Sequence, residues 1–89
     1  MSAPAAEVRD AVIRTVSAVL AVDERTVAGT ASLTDIDRFN SFRMVEIVER
    51  LESELGVEID ADDLIPENLR HVDRLSRLFA AARQRTERS

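Results

Sequence analysis

Apolar residues fall at helical spacing in three stretches of the chain. Val8, Val12, Val16, Val19 and Leu20 recur every three or four positions and predict a first helix from about Pro4 to Leu20, with Pro4 acceptable in its first turn. Met44, Ile47, Val48, Leu51 and Leu55 make a second stripe. That helix is expected to open near Ser41, because Asn40 and Ser41 are both N-cap types, and to stop at Gly56. Val72, Leu75, Leu78, Phe79 and Ala82 make a third stripe, on a helix starting near His71. Asp60 to Ile65 has room for a short helix, with Pro66 expected to end it. Asp23 to Asn40 keeps no period; Val27, Leu33, Ile36 and Phe39 are expected to tie this long connection to the core. Alternation with period two is confined to Val57-Glu58-Ile59. The pattern predicts an all-α fold, a four-helix bundle of three main helices, a short third one and a long first loop. It predicts a single domain over 1–89, with an ordered core of about 4–82 and a frayed tail at 83–89.

A helical wheel at roughly 100° per residue separates two faces on the second predicted helix. The Met44, Ile47, Val48, Leu51 and Leu55 stripe is a sufficient core face. Phe42 and Val45 fall elsewhere, interleaved with Glu46, Glu49 and Glu52 and flanking Ser41, while Arg43, Arg50 and Glu54 lie on a third flank. One reading is a docking surface with an apolar centre and an acidic rim. The other is that the preceding loop folds over Phe42 and that the carboxylates are a solvated face.

Composition narrows the functions available. The chain has no cysteine, which excludes a disulfide framework, a thiol nucleophile and a thiolate metal site. No apolar stretch is long enough to span a bilayer, and Met1-Ser2-Ala3-Pro4 does not open a signal peptide, so a cytoplasmic location is expected. The net charge is −5 and is uneven: Ala31 to Leu69 holds eleven acids and three arginines. An acidic middle disfavours nucleic acid and favours basic protein surfaces. Asp35, Asp37 and Glu46 superficially suggest a calcium loop, but Phe39 stands at a ligand position and Asn40 at the required glycine, so no metal site is expected. His71, the single histidine, is expected at the surface or as a cap, and Ser41 has no activating partner in sequence. No catalytic residue is assigned.

The run Asn40-Ser41-Phe42-Arg43-Met44-Val45-Glu46-Ile47-Val48-Glu49-Arg50-Leu51-Glu52 resembles the signature of acyl and peptidyl carrier proteins, in which an Asp-Ser-Leu-type tripeptide opens a helix. The likeness continues through Glu54-Leu55-Gly56-Val57-Glu58-Ile59 and Asp62-Asp63-Leu64-Ile65-Pro66-Glu67-Asn68-Leu69, a stretch similar to discrete carriers of secondary metabolism. The resemblance implies a carrier and not an enzyme. It implies a covalent 4′-phosphopantetheine, moved from coenzyme A onto Ser41 by a phosphopantetheinyl transferase, whose thiol holds acyl or aminoacyl groups as thioesters. A phosphodiester there would sit at a helix N-terminus, which favours negative charge. The resemblance also implies partner docking through Phe42, Val45, Glu46, Glu49 and Glu52. The implied partners are the transferase, an acyl- or aminoacyl-loading enzyme and downstream synthase or modifying enzymes, met by a monomer.

Four residues in and beside the motif depart from the usual pattern: Asn40 stands for aspartate, Arg38 and Phe39 for small residues, and Arg43 for an often acidic one. They point to a specialised carrier, in polyketide or nonribosomal peptide assembly such as antibiotic biosynthesis, over a primary fatty-acid carrier. The rival from another class is an unmodified helical adaptor of the same fold that binds a protein partner.

Overall fold

The computed structural model describes residues 3–88. Met1, Ser2 and Ser89, the ends of the expected domain, lie outside the described residues. The helices are α1 (Ala3–Leu20), α2 (Glu24–Gly29), α3 (Ser41–Leu55), α4 (Pro66–Leu69) and α5 (Val72–Arg88), with 3-10 turns at Leu33–Asp35 and Ala61–Asp63. Among the described residues there is no strand. The fold is the expected all-α bundle.

Helix α1 is its hub, packed against α3, α5 and α2. Val8, Val12 and Val16 on α1, Ile47 and Leu51 on α3, and Leu75 and Phe79 on α5 are fully buried in one cluster. Each of these stripes spans enough turns to bury a continuous face, which is why their periodicity was visible in sequence. Two exposed ion pairs cross the helix contacts, Arg14 to Glu54 at 2.7 Å between α1 and α3, and Arg9 to Asp73 at 3.3 Å between α1 and α5. At such exposure they fix registry more than they stabilise.

The helix ends follow local chemistry. Asn40 is extended and its Oδ1 accepts the Arg43 N–H at 2.9 Å, so Asn40 caps α3 and Ser41 becomes its first helical residue. Gly56 closes the same helix at φ 66°, and the Val57 N–H returns to the Glu52 carbonyl at 3.1 Å. The end of α1 is similar but carries a residue with a Cβ: Ala21 stands at φ 56°, while the Val22 N–H reaches the Ser17 carbonyl at 3.1 Å.

Three segments differ from the sequence expectation. The long connection contains α2, whose six residues bury only Val27, too few apolar positions to show a period. Its other expected anchors behave as such: Leu33 and Ile36 are buried and Phe39 is packed against the core. Residues 60–65 form no helix beyond the single 3-10 turn, and Pro66 opens α4 instead of ending a helix. The reason is that a proline at the first helical position loses no hydrogen bond and presets φ. Finally, α5 continues to Arg88, past the expected limit near Ala82.

The connection is fastened where it passes the α4–α5 junction. The Leu33 N–H donates to the Arg70 carbonyl at 2.6 Å, and His71 donates from Nδ1 to the Ala31 carbonyl at 2.8 Å. His71 is therefore a half-buried tether between the loop and the start of α5, a contact that neither the surface nor the cap expectation contained.

Candidate functional site

Ser41 is exposed at the start of α3. Its helix position follows from the cap. Asn40 takes the Arg43 N–H with its side chain and the Met44 N–H with its carbonyl, the latter at 2.9 Å. The amide N–H groups of Ser41 and Phe42, at the open start of the helix, have no partner among the described residues. A phosphodiester on Ser41 Oγ would meet two free donors and the positive end of a four-turn helix.

On one side of Ser41 lies an exposed apolar surface. Phe42 is 89% exposed and Val45 56%. The loop does not cover Phe42, so that part of the second reading of the wheel fails. The core stripe runs as expected, with Met44, Ile47, Val48 and Leu51 buried and Leu55 packed at the edge. An apolar side chain of this size left in water contributes nothing to the bundle.

Leu64 and Ile65, 37% and 42% exposed, complete the set of exposed large apolar residues among those described. They precede α4, which borders the Ser41 groove, and sequence periodicity assigned them no part in a surface. The signal available was their place in a short segment with too few neighbours to bury them.

The carboxylates of α3 divide. Glu46 pairs with Arg50 at 2.9 Å and lies 3.9 Å from Arg43, so its charge is partly compensated within its own helix. Glu49 is exposed and carries no ion pair among the described residues. Glu52 turns toward the following segment, where its Oε2 accepts the Ile59 N–H at 2.9 Å. The expected acidic row is thus one open carboxylate, one paired within the helix and one engaged in holding the backbone after Gly56.

On the other side of Ser41 is a cavity of about 430 Å³ lined by Thr34, Phe39, Ser41, Met44, Pro66, Leu69 and Arg70. Its walls come from the long connection, the first turn of α3, and Pro66, Leu69 and Arg70 in and just after α4. Asn68 steadies the α4 wall by donating from Nδ2 to the Asp63 carbonyl at 2.9 Å. Phe39 belongs to this wall, whereas Arg38, its neighbour in the motif, lines a separate cavity with Asp35, Asp37 and Arg25.

Among the described residues no cluster of three or more His, Cys, Asp or Glu side chains is placed to hold a metal ion. No helix there is long and apolar enough to cross a membrane.

The site is thus an exposed serine at a capped helix start with two unpartnered backbone amides beside it. The family model for the phosphopantetheine attachment site matches residues 10–79, and the chain belongs to that family. Comparisons with curated proteins and with solved structures gave no match. The chain is accordingly a non-catalytic carrier, and its prosthetic group is covalently attached 4′-phosphopantetheine. Carrier domains of this kind work with a phosphopantetheinyl transferase and with partner enzymes.

Proposed function

We propose that Ser41 bears the phosphopantetheine and that the chain shuttles acyl or aminoacyl thioesters between enzymes of a specialised assembly pathway, polyketide or nonribosomal peptide. The observation that carries the attachment is the position of Ser41, exposed as the first residue of α3 beside two unpartnered amides. In the loading step the Ser41 hydroxyl gives up its proton and forms a bond to phosphorus, and the adenosine bisphosphate half of coenzyme A leaves. When bound, the group supplies a thiol that holds the cargo as a thioester. The chain contributes the acceptor oxygen, the polarity of the helix start and a surface for each partner, and no acid or base.

The docking surface of this reading is Phe42 and Val45 as the apolar centre, with Glu46 and Glu49 on its rim. Glu52 stands at its far end and acts mainly on the fold through Ile59. Rim carboxylates meeting basic residues around a partner's active-site entrance speed encounter and set orientation, and leave release fast. Asn40, Arg43 and the Phe39 wall mark the specialised carrier: the cap is kept without the usual aspartate charge, and the helix start gains a cation. Loading from coenzyme A goes with a cytoplasmic setting. Incubation with coenzyme A and a broad-specificity transferase is expected to add one phosphopantetheinyl mass to the wild type and none to Ser41→Ala. An unmodified wild-type chain with several transferases would refute the assignment.

A further inference from the structure

We propose that Arg70 is a positioning residue for the phosphodiester on Ser41, a contact that ties the root of the arm to the α4 wall of the groove. The inference rests on the assignment of Ser41 as the attachment residue.

Arg70 is the single cation among the residues lining the Ser41 cavity, and its other walls offer only apolar groups and the Thr34 hydroxyl. A phosphodiester keeps one negative charge throughout the neutral range. Arg70 is the only residue lining that cavity that carries the opposite charge. The two other arginines near the motif are already committed: Arg43 faces Glu46, and Arg38 lines a different cavity with Asp35 and Asp37. Arg70 has no carboxylate partner among the described residues. Its one side-chain hydrogen bond is long, from Nε to the Pro66 carbonyl at 3.4 Å, and leaves both terminal nitrogens open. A guanidinium presents a planar fork of donors suited to two phosphate oxygens.

The backbone of Arg70 is held on both sides. Its N–H donates to the Pro66 carbonyl at 3.0 Å, and its own carbonyl accepts the Leu33 N–H at 2.6 Å. Little backbone ordering remains to be done when the anion is present, so only side-chain freedom is lost on contact. The consequence is a two-sided grip on the phosphate: the free amides of Ser41 and Phe42 on the helix side and Arg70 on the α4 side. The grip would hold the arm's root while leaving its thiol end free to reach partners.

The test compares the apo and holo chains by ¹⁵N and ³¹P NMR, with loading checked by mass in every sample. The expected result is that the Arg70 Nε–Hε resonance shifts on conversion from apo to holo and remains unshifted in Ser41→Ala treated identically. The ³¹P line of holo Arg70→Gln should be displaced and narrowed relative to wild type, as the phosphate gains freedom, and Arg70→Lys should restore part of the difference. High salt should move the wild-type line toward that of Arg70→Gln. A fully loaded chain with an unchanged Arg70 resonance, and a ³¹P line indifferent to Arg70→Gln, would overturn the contact while leaving the carrier assignment intact. Failure of the wild type to load would overturn both.

Discussion

At the scale of single residues, two helix ends pose the same backbone problem and answer it differently. Gly56 and Ala21 both occupy the left-handed region, at φ 66° and 56°. Glycine enters that region without steric cost, whereas an L side chain does so at about 1–2 kcal/mol. A Cβ at Gly56 meets nothing within 4 Å, so Gly56→Ala is expected to cost about 1 kcal/mol through backbone strain alone. Ala21→Gly should stabilise by a few tenths to about 1 kcal/mol, since relief of strain outweighs the added chain entropy. Urea unfolding of both variants checks the opposite signs; a loss in Ala21→Gly would show that the α1 terminus is held by something other than this turn.

The aromatic residues give a sharper contrast. Phe79 is fully buried and Phe42 is almost fully exposed. Phe79→Ala should cost about 3–5 kcal/mol. Phe42→Ala should stay within about 0.5 kcal/mol of wild type yet slow cargo transfer to a partner enzyme. Thermal melting and a transfer assay on the same preparations separate the two. That Phe42 and Val45 lie off the core stripe was legible in sequence because α3 has enough turns to show it; whether the preceding loop covers Phe42 was not, since that depends on where the loop runs. Glu52 was read less well. Its wheel position suggests a rim, and only the turn at Gly56 brings the Ile59 N–H within its reach.

At the scale of elements, legibility tracks length. Helices α1, α3 and α5 repeat their apolar positions over several turns and were readable, including the Asn40 cap and the Gly56 stop. Helix α2 buries one residue and α4 none, so neither has a pattern to read. Their place depends on contacts far away in sequence, such as Leu33 to Arg70 and His71 to Ala31. The groove beside Ser41 was illegible for the same reason: α4 becomes a wall only after the chain folds back.

The link from α3 to the segment before α4 is the Glu52 carboxylate on the Ile59 amide. Its removal leaves a part-buried N–H without a partner, a loss of about 1–2 kcal/mol for Glu52→Ala. Glu49→Ala, one exposed carboxylate along the same helix, should change stability by no more than about 0.5 kcal/mol. Hydrogen exchange at Ile59 should rise in the first variant only. Equal stability of the two would place Glu52 on the rim and not in the fold.

At the scale of the whole molecule, the acids concentrate between Ala31 and Leu69, the span that holds α3, the groove and α4, while α5 is rich in arginine. The charge is therefore uneven along the chain, with Ser41 inside the acidic stretch. Encounter with basic partner surfaces should weaken as salt rises from about 0.1 M to about 1 M, where the screening length falls from about 10 Å to about 3 Å. Transfer at sub-saturating partner should slow severalfold over that range, and Glu49→Arg should slow it at low salt and flatten the dependence. A salt-independent transfer rate would assign docking to the apolar centre alone.

The central claim is the covalent one, and it is tested most directly by fragment mass spectrometry of the chain after incubation with coenzyme A and a phosphopantetheinyl transferase. One phosphopantetheinyl group is expected on the peptide containing Asn40-Ser41-Phe42, localised to the Ser41 oxygen and missing from Ser41→Ala. A group found on any other residue, or a wild-type chain that stays unmodified while a control carrier is fully loaded, would contradict the account.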